Sequence, residues 1–410
     1  MLGREVFFLL LLFSSAACGA RTPLGEPEGP ETGVPDADAG RADGSEDANV
    51  DRNVPDVAPR DCNLALEVSD HLIGEGPTRF ETVSVHSLGP ASFAVGAGGE
   101  QPILVEANIL AGSGLASSLR LSFSPGGSLA LGVSRAAQRI AVCPPQSPLL
   151  ILDSSFMPVS DTPVFGPGCT DGIGSDAGFA FTTGEPGNDA SLVTVYAPDG
   201  TLNLMPFPGS RADFGPARLG AGADRIFLVN RSPRRLGETE YALVLPDRSP
   251  QFQTAGIEQT SDAAFVAPAI EPWPFDPELV AIATQTFRGV AVSLVDLGSG
   301  ELLRESPPLG FDMGAETTPA LVATPNGLVV ASLGFGDLDP GGGLVEVALL
   351  DEELEPRGEQ IVLPTSREFS DVPTIDGAAT PAGGSIVVAF SQLNRDNGLQ
   401  EVRALLLTCR

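Results

Sequence analysis

Side chains able to do chemistry are few in this chain, and their spacing is poor. It holds two histidines, His71 and His86. Imidazole can ligate a metal or act as a general base near neutral pH, but neither His-x-x-x-His nor His-Glu-x-x-His occurs. His71, after Asp70, is expected in a loop, and His86 at the end of an alternating run, Thr82–His86, each exposed or capped. All 23 basic residues are arginine, so a phosphate-cradling P-loop, which needs lysine, is excluded. No Gly-x-Ser-x-Gly nucleophile elbow is present. Gly172-Ile173-Gly174-Ser175-Asp176-Ala177 approaches a dinucleotide fingerprint, but the residues after it, Phe179-Ala180-Phe181, read as a strand where the fingerprint needs a helix.

With 53 Asp and Glu, pairs such as Asp337 and Asp339, or Asp351 with Glu352 and Glu353, arise by number alone. Asp337-Leu338-Asp339-Pro340-Gly341 and Asn394-Arg395-Asp396-Asn397-Gly398 fall at equivalent places and offer oxygen ligands for calcium. Turn formers at hairpin tips account for the same pattern. No catalytic residue, metal site or cofactor is therefore expected. A binding feature is easier to find: Pro272-Trp273-Pro274-Phe275-Asp276-Pro277 holds the only tryptophan. Two prolines restrain Trp273 and Phe275 as an exposed pair in a loop, where a rigid aromatic can anchor a ligand or partner. Packing over a neighbouring element is the alternative.

What must position these groups is a repeat. Apolar runs ending in an acidic residue recur as Ile103-Leu104-Val105-Glu106, Leu150-Ile151-Leu152-Asp153 and Tyr196-Ala197-Pro198-Asp199. They continue as Val244-Leu245-Pro246-Asp247, Leu294-Val295-Asp296 and Leu349-Leu350-Asp351, and a last step reaches Ala404-Leu405-Leu406-Leu407. Seven beats of about 50 residues suit a seven-bladed β-propeller with four strands per blade. The 48 Gly and 37 Pro, with little helical periodicity, agree with an all-β fold. Thr324-Pro325-Asn326-Gly327 and Thr380-Pro381-Ala382-Gly383, each followed by Leu/Ile-Val-Val, predict hairpins between the first two strands of blades six and seven. The Asp of each beat predicts an Asx turn into the outer strand. Arg139–Cys143 fits a second or a third strand. Ser124-Pro125-Gly126-Gly127-Ser128-Leu129-Ala130-Leu131 resembles the same hairpin turn, and also resembles the Ser-Pro-Asp-Gly element of TolB-like and WD40-like propellers. That resemblance implies a ring of blades whose loop surfaces bind partners.

The first 18 residues differ. Arg4 precedes an apolar stretch, Val6 to Phe13, then small residues up to Cys18. This is too short to cross a bilayer and reads as a signal peptide. Ser15-Ala16-Ala17-Cys18 resembles the bacterial lipobox, which implies lipidation of Cys18. Gly19, rather than Asp, after the cysteine fits export to an outer membrane. Residues 19–60 are rich in Pro, Gly, Ala and Asp and lack the aliphatic bulk to offset their chain entropy, so they are expected to form a disordered acidic linker. Residues 61–410 form the propeller domain. The net charge of −30 argues against nucleic acid as a partner. The one basic cluster, Arg231, Arg234 and Arg235, reads as a solvated hairpin tip.

Without Cys18, four cysteines remain, Cys62, Cys143, Cys169 and Cys409, an even number suited to an oxidising compartment. Three pairings are open to them. Ring closure chooses among these. The last blade lacks an outer strand, and Asn63-Leu64-Ala65-Leu66-Glu67-Val68 alternates as a half-buried strand should. If it fills that position, Cys62 lies beside Cys409, leaving Cys143 with Cys169. The chain is thus expected to be a non-catalytic binding or scaffold module held at the cell envelope, with an envelope protein or glycan as partner and the membrane reached through the lipid. The rival is an enzyme on the same fold, a polysaccharide lyase or glycoside hydrolase.

Overall fold

The computed structural model describes residues 62–410, apart from 112–113, 163–167, 184–191, 209–216, 223–224, 232–237, 245–252, 259–266, 287–288, 311–316, 336–342, 366–373 and 395. Cys18 and residues 19–60 lie outside them, as do Arg234, Arg235, Asp247, Arg288, Asp337 and Asp339.

Seven sheets of four antiparallel strands make up the described residues, and no helix is among them. In blades one to six the strands run in chain order from the axis outward. In blade seven the chain's first strand, Leu64–Gly76, pairs with its last, Leu399–Cys409. The register places Leu64 opposite Cys409 and Ala65 opposite Thr408. A disulfide joins Cys62 to Cys409 with Cα atoms 4.9 Å apart, and a second joins Cys143 to Cys169. The closure read from the alternation of Asn63–Val68 is therefore observed. His71 is a correction: the closing strand continues to Gly76, so His71 pairs with Ala404 inside a strand and does not sit in a loop.

The beats fall on third strands or at their ends, Ile103–Leu110, Leu149–Asp153, Leu192–Tyr196, Glu238–Val244, Gly289–Asp296, Gly343–Leu350 and Leu399–Cys409, with residues 245–247 of the fourth beat outside the described residues. The acidic turns have a physical cause. Asp153 Oδ1 accepts the N–H groups of Ser155 and Met157 at 2.8 and 3.0 Å, and Asp351 Oδ1 those of Glu353 and Glu355 at 2.9 and 3.0 Å. Asp296 Oδ1 accepts from Gly298 and Ser299. These Asx turns reverse the chain into the outer strand. Glu106 departs from the pattern: it lies within its strand, opposite Ala94, and pairs with Arg120.

The same turns clasp neighbouring blades. Thr162 Oγ1, on the outer strand of blade two, donates to the Gly200 carbonyl in the turn of blade three at 2.8 Å. Gln253 of blade four reaches Gly298 of blade five, and Arg304 of blade five reaches the Glu352 carbonyl of blade six. The Arg120 guanidinium of blade one lies 5.3 Å from the centre of the Phe156 ring in the turn of blade two. Between blades, the hydrophobic clusters are largely aliphatic with aromatic side chains set among them, as in the one that joins Val329, Val347 and Leu349 of blade six to Ile386, Val388, Phe390 and Leu405 of blade seven.

Two turn readings divide. Thr324–Gly327 and Thr380–Gly383 lie between the first and second strands of blades six and seven, as expected. Ser124–Gly127 instead connects the outer strand of blade one, Gly114–Ser122, to the innermost strand of blade two, Ala130–Ser134. Leu129-Ala130-Leu131 thus enters the axis, and Arg139–Cys143 is the second strand of its blade.

Candidate functional site

The innermost strands are Phe80–Ser87, Ala130–Ser134, Cys169–Ser175, Arg218–Ala221, Ala269–Pro272, Ala320–Thr324 and Ile375–Ala379. They crowd the axis closely enough to select small residues. A Cβ on Gly220 would fall 2.0 Å from the Ile270 carbonyl oxygen, and one on Gly174 would fall 2.4 Å from Val133 backbone atoms. The glycines of the false dinucleotide fingerprint are therefore packing residues of blade three against blade two. After Ser175 comes a turn and then the strand Gly178–Thr183, so no helix follows.

Inside this ring lie two cavities of about 70 and 170 Å³, both lined by Asp171, Leu219, Glu271 and Asp376. Thr82, Arg218 and Thr374 line the smaller, and His86 and Arg135 the larger. The waist of the channel is thus three carboxylates from blades three, five and seven, with one guanidinium from blade four. Asp376 and Asp171 occupy equivalent Asp-Gly steps, and each reaches the next blade's main chain. Asp376 Oδ2 accepts from Val85 N–H at 2.7 Å, and Asp171 Oδ2 from Leu219 N–H at 2.8 Å. Arg218 Nη1 stands 3.8 Å from Asp171 Oδ1.

Removal from bulk water governs the protonation of these acids. Desolvation outweighs the amide hydrogen bonds at Asp376 and pushes it up to about 7. Asp171 is also raised by burial, held back by Arg218. Glu271 is raised well above the ordinary range, first by burial and then by the charges of Asp376 and Asp171. With its value near 7, the Asp376 carboxyl is present in both forms near neutrality and can donate as well as accept. Among the described residues, no group of three or more His, Cys, Asp and Glu is arranged to hold a metal ion.

The expected site residues are scattered. His86 borders the larger cavity with Nε2 3.1 Å from Ser84 Oγ, and burial lowers it to about 4, so it is neutral at physiological pH. His71 lies on the outermost strand of blade seven, 3.1 Å from Ser117 Oγ of blade one, and burial lowers it too. Trp273 follows the packing alternative and not the exposed one: it is 4% exposed and packs with Ala281, Leu328 and Leu350 of blades five and six. Its two flanking prolines set the loop, but the indole points into the apolar seam between blades. Phe275, 36% exposed, meets it edge-on at 5.3 Å and alone reaches the surface. Asp351 faces its own Asx turn, and the Asn394 side chain donates to buried Glu401. Asp171, Arg218, Glu271 and Asp376 were not singled out from the sequence. The available signal was the shared Asp-Gly at the head of two innermost strands, Asp171-Gly172 and Asp376-Gly377.

This fold and channel define a seven-bladed β-propeller. The WD40 β-propeller domain of Doa1 superposes with a TM-score of 0.53 at 11% identity, covering 83% of this chain and 97% of that one. The WD40 repeats of RRP9 give 0.52 at 12% identity, covering 85% and 100%. At such identity the likeness is one of fold. No family model and no curated protein matches the chain in sequence.

Proposed function

We propose that this chain is a binding or scaffold module of the bacterial cell envelope, anchored by a lipid on Cys18 and held off the membrane by the acidic spacer 19–60. One observation carries the binding half of this reading. The channel carboxylates of Asp376 and Asp171 accept main-chain amides of neighbouring blades, so they brace the ring, and the loop surfaces are left for recognition. WD40 propellers such as those of similar fold offer just such surfaces. The partner is a protein or a glycan of the envelope, with Phe275 a reachable contact. The anchoring half rests on the apolar stretch Val6–Phe13, the lipobox-like Ser15–Cys18 and Gly19. Two disulfides fit an exported protein. The test is growth with a labelled fatty acid. Label should enter the wild-type chain and the outer-membrane fraction, and Cys18→Ala should abolish both. An unlabelled wild-type chain sinks the proposal.

A second reading has its own support. A carboxyl held near 7 beside an open cavity has the value a general acid needs, as a polysaccharide-cleaving enzyme would require. Release of reducing ends or unsaturated sugars from envelope polysaccharide, lost in Asp376→Asn, would establish it over the scaffold.

A further inference from the structure

Of the three acids at the waist of the channel, two are occupied and one is not. Asp171 and Asp376 each accept a main-chain amide of the next blade, and Arg218 stands beside Asp171. Glu271, on the innermost strand of blade five, is desolvated by the strands around it, yet among the described residues no hydrogen bond or guanidinium reaches its carboxyl. The charges that face it, Asp376 and Asp171, are of its own sign and oppose its ionisation. It lines both cavities, so the carboxyl opens onto the free space of the channel. A desolvated acid without a partner costs stability, and bracing the ring does not account for it.

The larger cavity leads to this carboxyl between apolar walls. Val85, Val133, Ile173 and Val322 line it, beside a neutral His86 and an exposed Arg135. Glu81 borders the smaller cavity. The donor set does not suit a bare metal ion, because no three of these groups are arranged around one point. A sugar hydroxyl could make the missing hydrogen bond but would leave three acids facing one guanidinium. A cation offsets that imbalance as well. We propose that the channel binds a small aliphatic primary amine, with its ammonium on Glu271 and its alkyl stem against the valines and Ile173 of the larger cavity. The ammonium donates three N–H groups, and Asp171 and Asp376 add negative charge around it. This site lies apart from the loop surfaces and stands whether or not Cys18 carries a lipid, so fatty-acid labelling and amine binding succeed or fail separately.

The probe is n-butylamine, which is charged at pH 8 because an alkylammonium releases its proton near about 10. In isothermal titration calorimetry on the full chain, at fixed ionic strength, it should bind saturably at one site. n-Butanol, with the same stem and no charge, should bind about tenfold more weakly or worse. Glu271→Gln keeps the length of the side chain and removes its charge, and should weaken the amine about tenfold or more. Glu301→Gln removes an equal charge from an exposed residue beside the outer strand of blade five, and should keep the affinity within about twofold. Near-ultraviolet circular dichroism checks that the Glu271 variant is folded; if it is not, Glu271→Asp, which withdraws the carboxylate by one methylene, serves in its place. Absence of saturable binding to the wild type overturns the proposal. So does butanol binding as tightly as the amine, which would leave an apolar cavity only. Amine affinity unchanged by loss of the Glu271 charge also overturns it, since the amine would then sit elsewhere on an acidic surface.

Discussion

Asp376, on the innermost strand of the last blade, accepts a hydrogen bond from the main-chain N–H of Val85, on the innermost strand of the first, at 2.7 Å. The ring is therefore closed twice: at the axis by this contact, and at the rim by Leu64–Gly76 pairing with Leu399–Cys409 under the Cys62–Cys409 disulfide.

The axial contact should titrate. Burial raises Asp376 to about 7, whereas an unfolded aspartate releases its proton near 4. Between these values the folded state binds more protons than the unfolded state, so stability is full below about pH 4 and falls as pH rises through 7. Asp376→Asn keeps an oxygen for Val85 but cannot ionise. It should flatten the slope and, at pH 8, exceed the wild type by on the order of 2 kcal/mol. Urea denaturation of both proteins at pH 5 and pH 8 measures this; a wild-type excess at pH 8 would count against the assignment.

The rim closure should matter more than the internal disulfide. Cys62–Cys409 closes a loop of 347 residues, and Cys143–Cys169 one of 26. In the loop-entropy model the longer loop is worth about 2 kcal/mol more. Cys62→Ser with Cys409→Ser should lower the denaturation midpoint further than the paired substitution at Cys143 and Cys169.

Close approach of innermost strands at the axis makes Gly220 intolerant. Gly220→Ala places a methyl 2.0 Å from the Ile270 carbonyl oxygen, and backbone on both sides must shift. A loss on the order of 3 kcal/mol, or failure to accumulate folded protein, is expected. Gly384→Ala, where a Cβ meets nothing within 4 Å, should leave the melting temperature nearly unchanged.

The aromatic loop separates packing from recognition. Trp273→Ala empties a seam between blades five and six and should cost about 3–5 kcal/mol. Phe275→Ala, at the half-open edge of the same loop, should cost less than about 1 kcal/mol. If the loop meets an envelope partner, Phe275→Ala weakens its capture with the melting temperature intact. Unchanged capture would move the binding surface elsewhere.

Blade number, third-strand positions, the Asx turns and the closing strand were all legible in the residues, because each is a local or periodic property. Apolar runs at a near-constant interval mark third strands, and an Asp at their ends supplies its own turn. The alternation of Asn63–Val68, with a last blade one strand short, was enough to pair Cys62 with Cys409. The direction in which a side chain points was another matter. Trp273 has the neighbours of an exposed anchor in sequence, and only the packing of blade five on blade six buries it. Asp171, Glu271, Asp376 and Arg218 lie far apart along the chain and look like any of its other charges. They meet because seven innermost strands share one axis, and their altered protonation arises from the desolvation that this convergence imposes, a condition that no short stretch of chain encodes.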